Sequence, residues 1–222
     1  MKDSKLLAIL TSAVIALTLL TGAVAVPILC RPFYYAHIGP LRLAEQTGLT
    51  EDEIRTAFDE MLDYCLGGPE FSTGVLKWSE SGKSHFTDVR VLFRLDLAVL
   101  YCCVVLLGAL AVLFRRGRRR PARLLSRGPA FWAGAGLGAV FLTVGALAAL
   151  DFDRAFVVFH ALFFPGKSNW LFDPREDQII NILPQVFFRN CAILILAILV
   201  AGCAALIVFD RTRNRFSKSR KI

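Results

Sequence analysis

Four long apolar stretches constrain the fold of this chain more than any other feature. They run over about residues 6–29, 92–114, 128–150 and 187–209. A helix needs roughly 20 residues to cross about 30 Å of hydrocarbon, and each stretch is close to that length. A soluble domain of 222 residues, of which 55% are hydrophobic, could not bury them all. The sequence therefore predicts a single all-α membrane domain, residues 1–222, with four transmembrane helices.

The first stretch shares some features with a secretory signal peptide. Lys2 and Lys5 lie at its start, and Ala23-Val24-Ala25 resembles a cleavage site. Its apolar run is longer than the usual signal core, so we expect a retained membrane anchor. A lipoprotein signal ending at Cys30 is not indicated, because Leu29 stands where a small residue is required.

The distribution of charge predicts which side of the membrane each connection faces. The link at 115–127 contains seven arginines and no acid, and the tail at 210–222 contains six basic residues and one acid. Residues 30–90 contain ten acids and six bases, and residues 151–184 contain five acids and three bases. Cytoplasmic connections are enriched in Lys and Arg. We therefore expect a plasma-membrane protein with both termini cytoplasmic. The two outer segments, residues 30–91 and 151–186, are expected on the extracytoplasmic side. Nucleic-acid binding is the weaker explanation of the net charge of +8.

The first outer segment contains the pattern of an amphipathic helix. Thr50 and Glu53 form a Thr-x-x-Glu capping box, and Gly67 and Gly68 end the pattern. Apolar side chains recur between them at helical spacing: Ile54, Phe58, Met61, Leu62 and Cys65. The sequence leaves open whether this extracytoplasmic helix packs onto the protein or lies on the lipid surface.

The second outer segment begins with an apolar run that is too short to span. Ala155–Pro165 contains eleven residues, which is typical of an interfacial or re-entrant segment. We expect this short outer loop to lie near the outer leaflet, where it roofs or lines a cavity among the helices. Asp173 precedes Pro174, so we expect Asp173 to cap a helix. Asp177 could serve a helix dipole or hold a catalytic group.

Two other patterns concern packing and redox state. Gly134 and Gly138 form a Gly-x-x-x-Gly motif in the third stretch, which predicts close helix packing. The six cysteines include no Cys-x-x-Cys pair, so a zinc site or a disulfide framework is poorly supported. A disulfide between Cys30 and Cys65 remains open.

All three histidines lie in the predicted outer segments. Ser84 is positioned to cap the helix that becomes the second span, and His85 and Asp88 then share one helix face. Asp88 could orient the imidazole of His85, or it could simply favour the helix N-terminus. His160 lies among four phenylalanines, where it is either a structural histidine bonded to a backbone carbonyl or a base poised near neutral pH. His37 fits an interfacial position beside Tyr34 and Tyr35.

Several classes of site have no signature in the sequence. The chain contains no His-x-x-x-His or His-Glu-x-x-His motif, so we expect no metal, and nothing indicates a cofactor. It contains no Gly-x-Ser-x-Gly elbow and no Cys beside a His, so a serine or cysteine nucleophile is not indicated.

The two histidine segments together resemble a known family. "SGKSHFTDVRVLF" and "FHALFFPGKSNWLFDPREDQIINILPQVFF" are similar to the lipoprotein intramolecular transacylases (Lit) of Gram-positive bacteria, and "TGLTEDEIRTAFDEMLDYC" matches weakly. These are four-helix integral membrane proteins. The resemblance covers most of the chain, and it makes His85 and His160 the counterparts of the two motif histidines, with Asp88, Trp170, Asp173 and Asp177 supporting them.

The resemblance implies an acyl shift on diacylated lipoproteins. One acyl chain would move from the sn-2 ester of the diacylglyceryl-cysteine to the free cysteine α-amine, which gives a lyso-form lipoprotein. His85, oriented by Asp88, would be the base and His160 would assist the intermediate or the leaving group, although these roles could be exchanged. Lys83-Ser84 stand where a Gly-Glu approach to the histidine is expected, which puts any role of Glu80 in doubt.

Three alternatives remain at this stage. A non-catalytic membrane protein could recruit partners through its acidic outer segments. A small transporter is disfavoured, because no span carries a charge in its middle and the halves show no repeat. A lipase would require a nucleophile that the sequence does not show. The oligomeric state is left open.

Overall fold

The structure is a computed structural model that describes residues 3–117 and 120–219, with side chains described to residue 213. Within these ranges the chain is mostly helical. The helices are α1 (Lys5–Leu29), α2 (Arg31–Ile38), α3 (Leu43–Thr47), α4 (Glu51–Leu66), α5 (Glu80–Arg115), α6 (Pro129–Leu150), α7 (Phe152–Phe163) and α8 (Gln185–Ser219). A 3-10 turn covers Gln178–Asn181, and two short strands, β1 (Asp3–Ser4) and β2 (Arg120–Pro121), pair in parallel.

Four of these helices, α1, α5, α6 and α8, are long and apolar enough to cross a membrane. The predicted four-span, all-α membrane fold is therefore confirmed. Helix α5 contains 36 residues and is about 54 Å long, which exceeds the hydrocarbon thickness. Its first turns, which include His85 and Asp88, therefore form a polar extension ahead of the apolar stretch that begins near residue 92.

The chain divides into two compact units. The first contains Met1–Val24, Leu97–Leu147 and Ile195–Ile222. Within it, a Cβ on Gly134 would lie 2.8 Å from the carbonyl oxygen of Cys203, and one on Gly138 would lie 3.5 Å from the Cβ of Cys203. Helix α6 thus approaches the backbone of α8 closely at these glycines, as the Gly-x-x-x-Gly motif predicts.

A buried carboxylate ties the ends of two helices together in the same unit. Asp210 of α8 accepts a hydrogen bond from the backbone N–H of Gly128 at 3.0 Å, just before α6 begins. Arg123 donates to the same carboxylate at 3.2 Å. The buried charge is therefore compensated, and it satisfies a backbone donor at the start of α6.

The second unit contains Ala25–Asp96 and Ala148–Leu194 and is built around its own hydrophobic core. Thr50 and Glu53 form the predicted capping box of α4, and Gly67, with φ 129°, follows the end of the helix. The apolar face of α4 is buried in this core together with Tyr34, Ile179 and Ile182. The helix therefore packs onto the protein, which answers the question that the sequence left open.

Distant parts of the chain meet in this second unit. The hydroxyl of Tyr34 donates to the carbonyl of Ile182 at 2.9 Å. The backbone N–H of Lys77 donates to the side chain of Gln178 at 2.9 Å, and the N–H of Gln178 donates to the carbonyl of Lys77 at 3.0 Å. Cys30 is exposed, Cys65 is buried, and both are free thiols, so the disulfide left open by the sequence is not formed.

The segment after α7 differs from the sequence prediction at Asp173. Its carboxylate accepts from the N–H of Arg175 at 2.9 Å, and its carbonyl accepts from Asp177 at 2.8 Å. The residues that follow form a single turn, and Asp177 then leaves helical geometry with φ −109° and ψ 71°. The prediction that Asp173 caps a helix is therefore wrong. Asp173 instead closes a short turn, and Asp177 at the end of this turn reaches Ser79 at the start of α5.

Candidate active site

The N-terminus of α5 is held by a carboxylate from the other outer segment. Asp177 is buried and accepts from the backbone N–H of Ser79 at 2.7 Å and from its hydroxyl at 2.8 Å. The hydroxyl of Ser79 accepts from the N–H of Gly82 at 3.0 Å, which is the contact of a helix N-cap. Ser84 lies within the helix, so the prediction that it caps α5 is wrong. Asp177 therefore stabilises the N-terminus of α5. This is the helix-dipole role, one of the two roles that the sequence left open for it.

Gly82 is essential to this arrangement. A Cβ on Gly82 would lie 2.6 Å from the Cγ of Asp177, which is closer than real side chains approach. The glycine therefore makes room for the carboxylate that bonds Ser79. This arrangement fixes the first turn of α5, and His85 follows one turn later.

The fold brings His85 of α5 and His160 of α7 together. Their ring centroids are 5.8 Å apart, and the side chains are only 6% and 7% exposed. Phe164 and Phe172 pack against His85, with centroid distances of 4.9 and 5.4 Å. Trp170 stacks on His160 at 4.5 Å. The two sequence-predicted histidines thus share one aromatic-walled site.

The hydrogen bond of His160 defines its tautomer. Nδ1 lies 2.8 Å from the carbonyl oxygen of Phe156, one turn earlier in α7. A carbonyl can only accept, so Nδ1 of the neutral ring carries the proton and Nε2 holds the lone pair. The backbone contact expected of a structural histidine therefore also leaves Nε2 ready to act as a base.

His85 has a different environment. Among the described residues its buried Nδ1 has no hydrogen-bond partner. Asp88 instead accepts from Lys167 Nζ at 2.5 Å and from Asn169 Nδ2 at 3.1 Å. The prediction that Asp88 orients His85 through a hydrogen bond is therefore wrong. The ammonium of Lys167 and the amide of Asn169, both from the turn after α7, donate to this carboxylate instead.

A model of a known family matches residues 9–188, and that family is the lipoprotein intramolecular transacylase Lit. The match covers the site and most of the chain. This chain belongs to the Lit family. As a Lit family member it is a membrane-integral transacylase that acts on lipoproteins.

Solved structures give the same fold. The chain is similar to the membrane-integral lipoprotein intramolecular transacylase Lit from Bacillus cereus, with 25% identity, a TM-score of 0.81, and coverage of 98% of this chain and 97% of that one. A structure of the Bacillus cereus protein with an H85R mutation matches with 24% identity and a TM-score of 0.74, and covers 96% and 93% of the two chains. A search of curated proteins gives no match.

Both site histidines of this Lit family member are biased toward the neutral form. Burial, followed by the nearby His160, lowers the pKa of His85 from 6.5 to about 4, although Asp88 opposes the shift. Burial also lowers the pKa of His160, and its bond to Phe156 opposes that shift. At neutral pH the site therefore holds two uncharged imidazoles, of which each can exchange a proton with a substrate.

We expect the ring of His85 to titrate below pH 6.5 in the substrate-free protein. Its folded-state pKa is lower than its unfolded-state value, so the ring stays neutral as the pH falls below 6.5 and gains its proton only near pH 4. The His160→Phe variant keeps the apolar surroundings but removes the positive charge that protonated His160 places beside His85 at low pH, so it should raise the pKa of His85. NMR titration of isotope-labelled histidines, assigned with single variants, measures both effects. A midpoint at or above 6.5 for His85 would contradict this expectation.

Several residues of the site were not found from the sequence. Ser79, Lys167 and Asn169 contribute polar contacts, and Phe172 packs against His85. Phe164, one of the four phenylalanines expected around His160, packs against His85 as well. Lys167 had one weak signal, because it and Arg175 are the two bases beyond Arg154 in this outer segment. His37 makes an i−4 bond to the carbonyl of Phe33 at 2.6 Å, and its half-buried ring packs on Phe187, which is a residue of the hydrophobic core.

Proposed function

We propose that this Lit family member moves the sn-2 O-acyl chain of a diacylglyceryl-modified lipoprotein to the free α-amine of its N-terminal cysteine. The observation that carries this proposal is the pair of buried imidazoles, 5.8 Å apart, in a site walled by aromatic rings. Such a site can exchange protons in surroundings that suit acyl chains. The transfer requires no second substrate, because donor and acceptor belong to the same molecule.

His160 is the proposed base. As the amine nitrogen attacks the ester carbonyl carbon, Nε2 of His160 takes the amine proton, and the C–N bond of the product forms. The C–O bond to glycerol then breaks, and His160 returns the same proton to the departing oxygen. One histidine can thus act first as base and then as acid, as in other acyl transfers. This assignment reverses the roles that the sequence favoured, because the bond to Phe156 presets the tautomer of His160.

His85 is proposed to stabilise the charge that develops on the carbonyl oxygen. A neutral imidazole can donate an N–H to an oxyanion, and a buried, pre-positioned donor is more effective than one in water. Its lowered pKa keeps the ring uncharged in the resting enzyme. In this proposal His160 transfers the proton, and His85 stabilises the negative charge on the carbonyl oxygen.

Binding both reacting groups accounts for much of the expected acceleration. Well-oriented intramolecular reactions reach effective molarities of about 10⁵–10⁸ M. The enzyme therefore does not need to store the acyl group on a side chain, which agrees with the lack of a nucleophile motif in the sequence. The role of the protein is to fold the substrate so that amine and ester meet beside His160.

We also propose that the site faces the extracytoplasmic side and that both termini are cytoplasmic. The support comes from charge, because the basic link and tail fall in the first unit and the acidic outer segments fall in the second. Diacylated lipoproteins would reach the site from the outer leaflet, where their glyceryl esters lie.

Mass spectrometry of lipoprotein N-termini tests the proposed function. The gene is expressed in a host whose lipoproteins carry the diacylglyceryl group and a free α-amine. We expect N-acylated cysteine with a single remaining O-acyl chain, and no change in the total number of acyl chains. Unmodified diacylglyceryl N-termini would refute the transfer, and a product with three acyl chains would refute its intramolecular character. A strain that expresses the His160→Asn variant provides the matched control.

A further inference from the structure

One carboxylate fastens the turn that follows α7 to α5. Asp88 of α5 accepts from Lys167 Nζ and from Asn169 Nδ2, and Asn169 Nδ2 also lies 3.4 Å from the hydroxyl of Ser84. The side chain of Asp88 is 21% exposed, whereas that of Lys167 is 49% exposed. An ion pair this open to solvent contributes little to the stability of a fold. Asp88 nevertheless accepts from two side chains of this turn, so the ion pair and the amide bond together set where the turn lies on α5.

The same turn carries the ring that covers His160. The indole Nε1 of Trp170 donates to the carbonyl of Lys167 at 3.1 Å, and the indole stacks on the imidazole of His160 with an angle of 26° between the rings. A continuous series of contacts therefore runs from Asp88 through Lys167 and Trp170 to His160. The hydrogen bond to Phe156 fixes one atom of the imidazole, and the indole restrains the plane of the ring.

We propose that Asp88 is a positioning residue, which holds the turn 165–171 on α5 through Lys167 and Asn169 and thereby fixes the ring of His160 through Trp170. Its effect on catalysis rests on the function proposed above. A base must be aligned with the proton that it removes, and a displacement of about 1 Å can cost roughly 100-fold in rate. Asp88 therefore acts on the orientation of His160 through the turn, in addition to its electrostatic effect on the pKa of His85.

Four variants test this positioning role. Asp88→Asn and Lys167→Met remove the ion pair, and the charge swap Asp88→Lys with Lys167→Asp rebuilds it in reverse, since the amide of Asn169 can rotate to present its oxygen. Glu80→Gln is the matched control, because Glu80 forms an exposed pair with Lys83 on the same helix, at 3.9 Å. We expect the two single variants to lower kcat by about 10- to 100-fold, the swap to restore most of it, and the control to match the wild type.

A second measurement separates this inference from the proposed function. In the substrate-free protein, the NMR resonance of the His160 ring should shift in Asp88→Asn and Lys167→Met, because the ring current of Trp170 moves, and it should return in the swap. Unchanged resonances in the single variants, or a swap that stays inactive, would overturn the positioning role and point to direct action of Asp88 on the substrate. A wild-type protein without transfer activity would refute the proposed function. The His160 ring resonance would then still test the contacts that run from Asp88 through Lys167 and Trp170 to His160.

Discussion

Replacement of His160 by asparagine is expected to lower the rate of N-acylation by about 10²- to 10⁴-fold, the range that general acid–base catalysis contributes. The amide of asparagine can still donate to the carbonyl of Phe156, which now accepts from Nδ1 at 2.8 Å. It has no basic atom in place of Nε2. The variant should therefore fold and bind substrate while it loses proton transfer. The rate of conversion of a synthetic diacylated lipopeptide, followed by mass spectrometry, measures this loss.

His37 offers a matched control for this experiment. It makes the same i−4 contact through Nδ1, to the carbonyl of Phe33, but its ring packs against Phe33 and Phe187. The His37→Asn variant should keep its activity within a few-fold, provided that rates are compared at equal amounts of folded protein. Equal losses at positions 37 and 160 would show that the local bond, and not a base, is responsible. An active His160→Asn variant would remove His160 from the mechanism.

The second large effect is expected at Gly82. An alanine there must displace the carboxylate of Asp177, because its Cβ would lie 2.6 Å from Cγ. The displaced carboxylate loses its bonds to the N–H and hydroxyl of Ser79, which are charge-assisted and buried. We expect a loss of about 2–3 kcal/mol in the free energy of unfolding, which corresponds to a fall of roughly 5–10 °C in Tm for a protein of this size. Activity should fall as well, because His85 lies one turn further along α5.

A double variant tests the cause of this loss. In Gly82→Ala with Asp177→Ala, the new methyl group enters space that the carboxylate has left, so the two effects should be smaller together than their sum. Gly39→Ala is the control in the same unit, because a Cβ there meets nothing within 4 Å and the backbone has φ −65°. Thermal unfolding in detergent, followed by circular dichroism, is measured for the wild type, Gly82→Ala, Asp177→Ala, the double variant and the Gly39→Ala control. Additive losses would show that Gly82 and Asp177 act independently.

Local sequence patterns predicted the elements of this fold well, because each depends on neighbouring residues. The four spans follow from apolar length, and α4 follows from its capping box and the spacing of its apolar face. The contact between Gly134 and α8 follows from the small-residue motif. Each of these features depends on residues within a few helical turns of one another, and at that range the spacing of apolar and small residues predicts the structure.

The polar partners in the site could not be predicted in the same way. Asp88 shares a helix face with His85, three residues away, yet it binds Lys167, 79 residues away. Asp177 could be assigned to a helix dipole, but it binds Ser79, 98 residues earlier, at the start of the helix that it stabilises. Spacing within one helix shows which side chains can meet, but a stronger donor from a distant turn decides which of them do.

The contacts between the outer segments also bear on how the protein is made. Tyr34 bonds Ile182, and Lys77 bonds Gln178, so the core that contains α4 is completed by residues near the start of α8. During synthesis the first outer segment must therefore wait, incompletely packed, until three spans have been inserted and the fourth has begun to emerge. Contacts of such high sequence separation form late in folding. His160 follows α6, which is the third span, so the two histidines can meet, and the site can form, only after three spans have been synthesised.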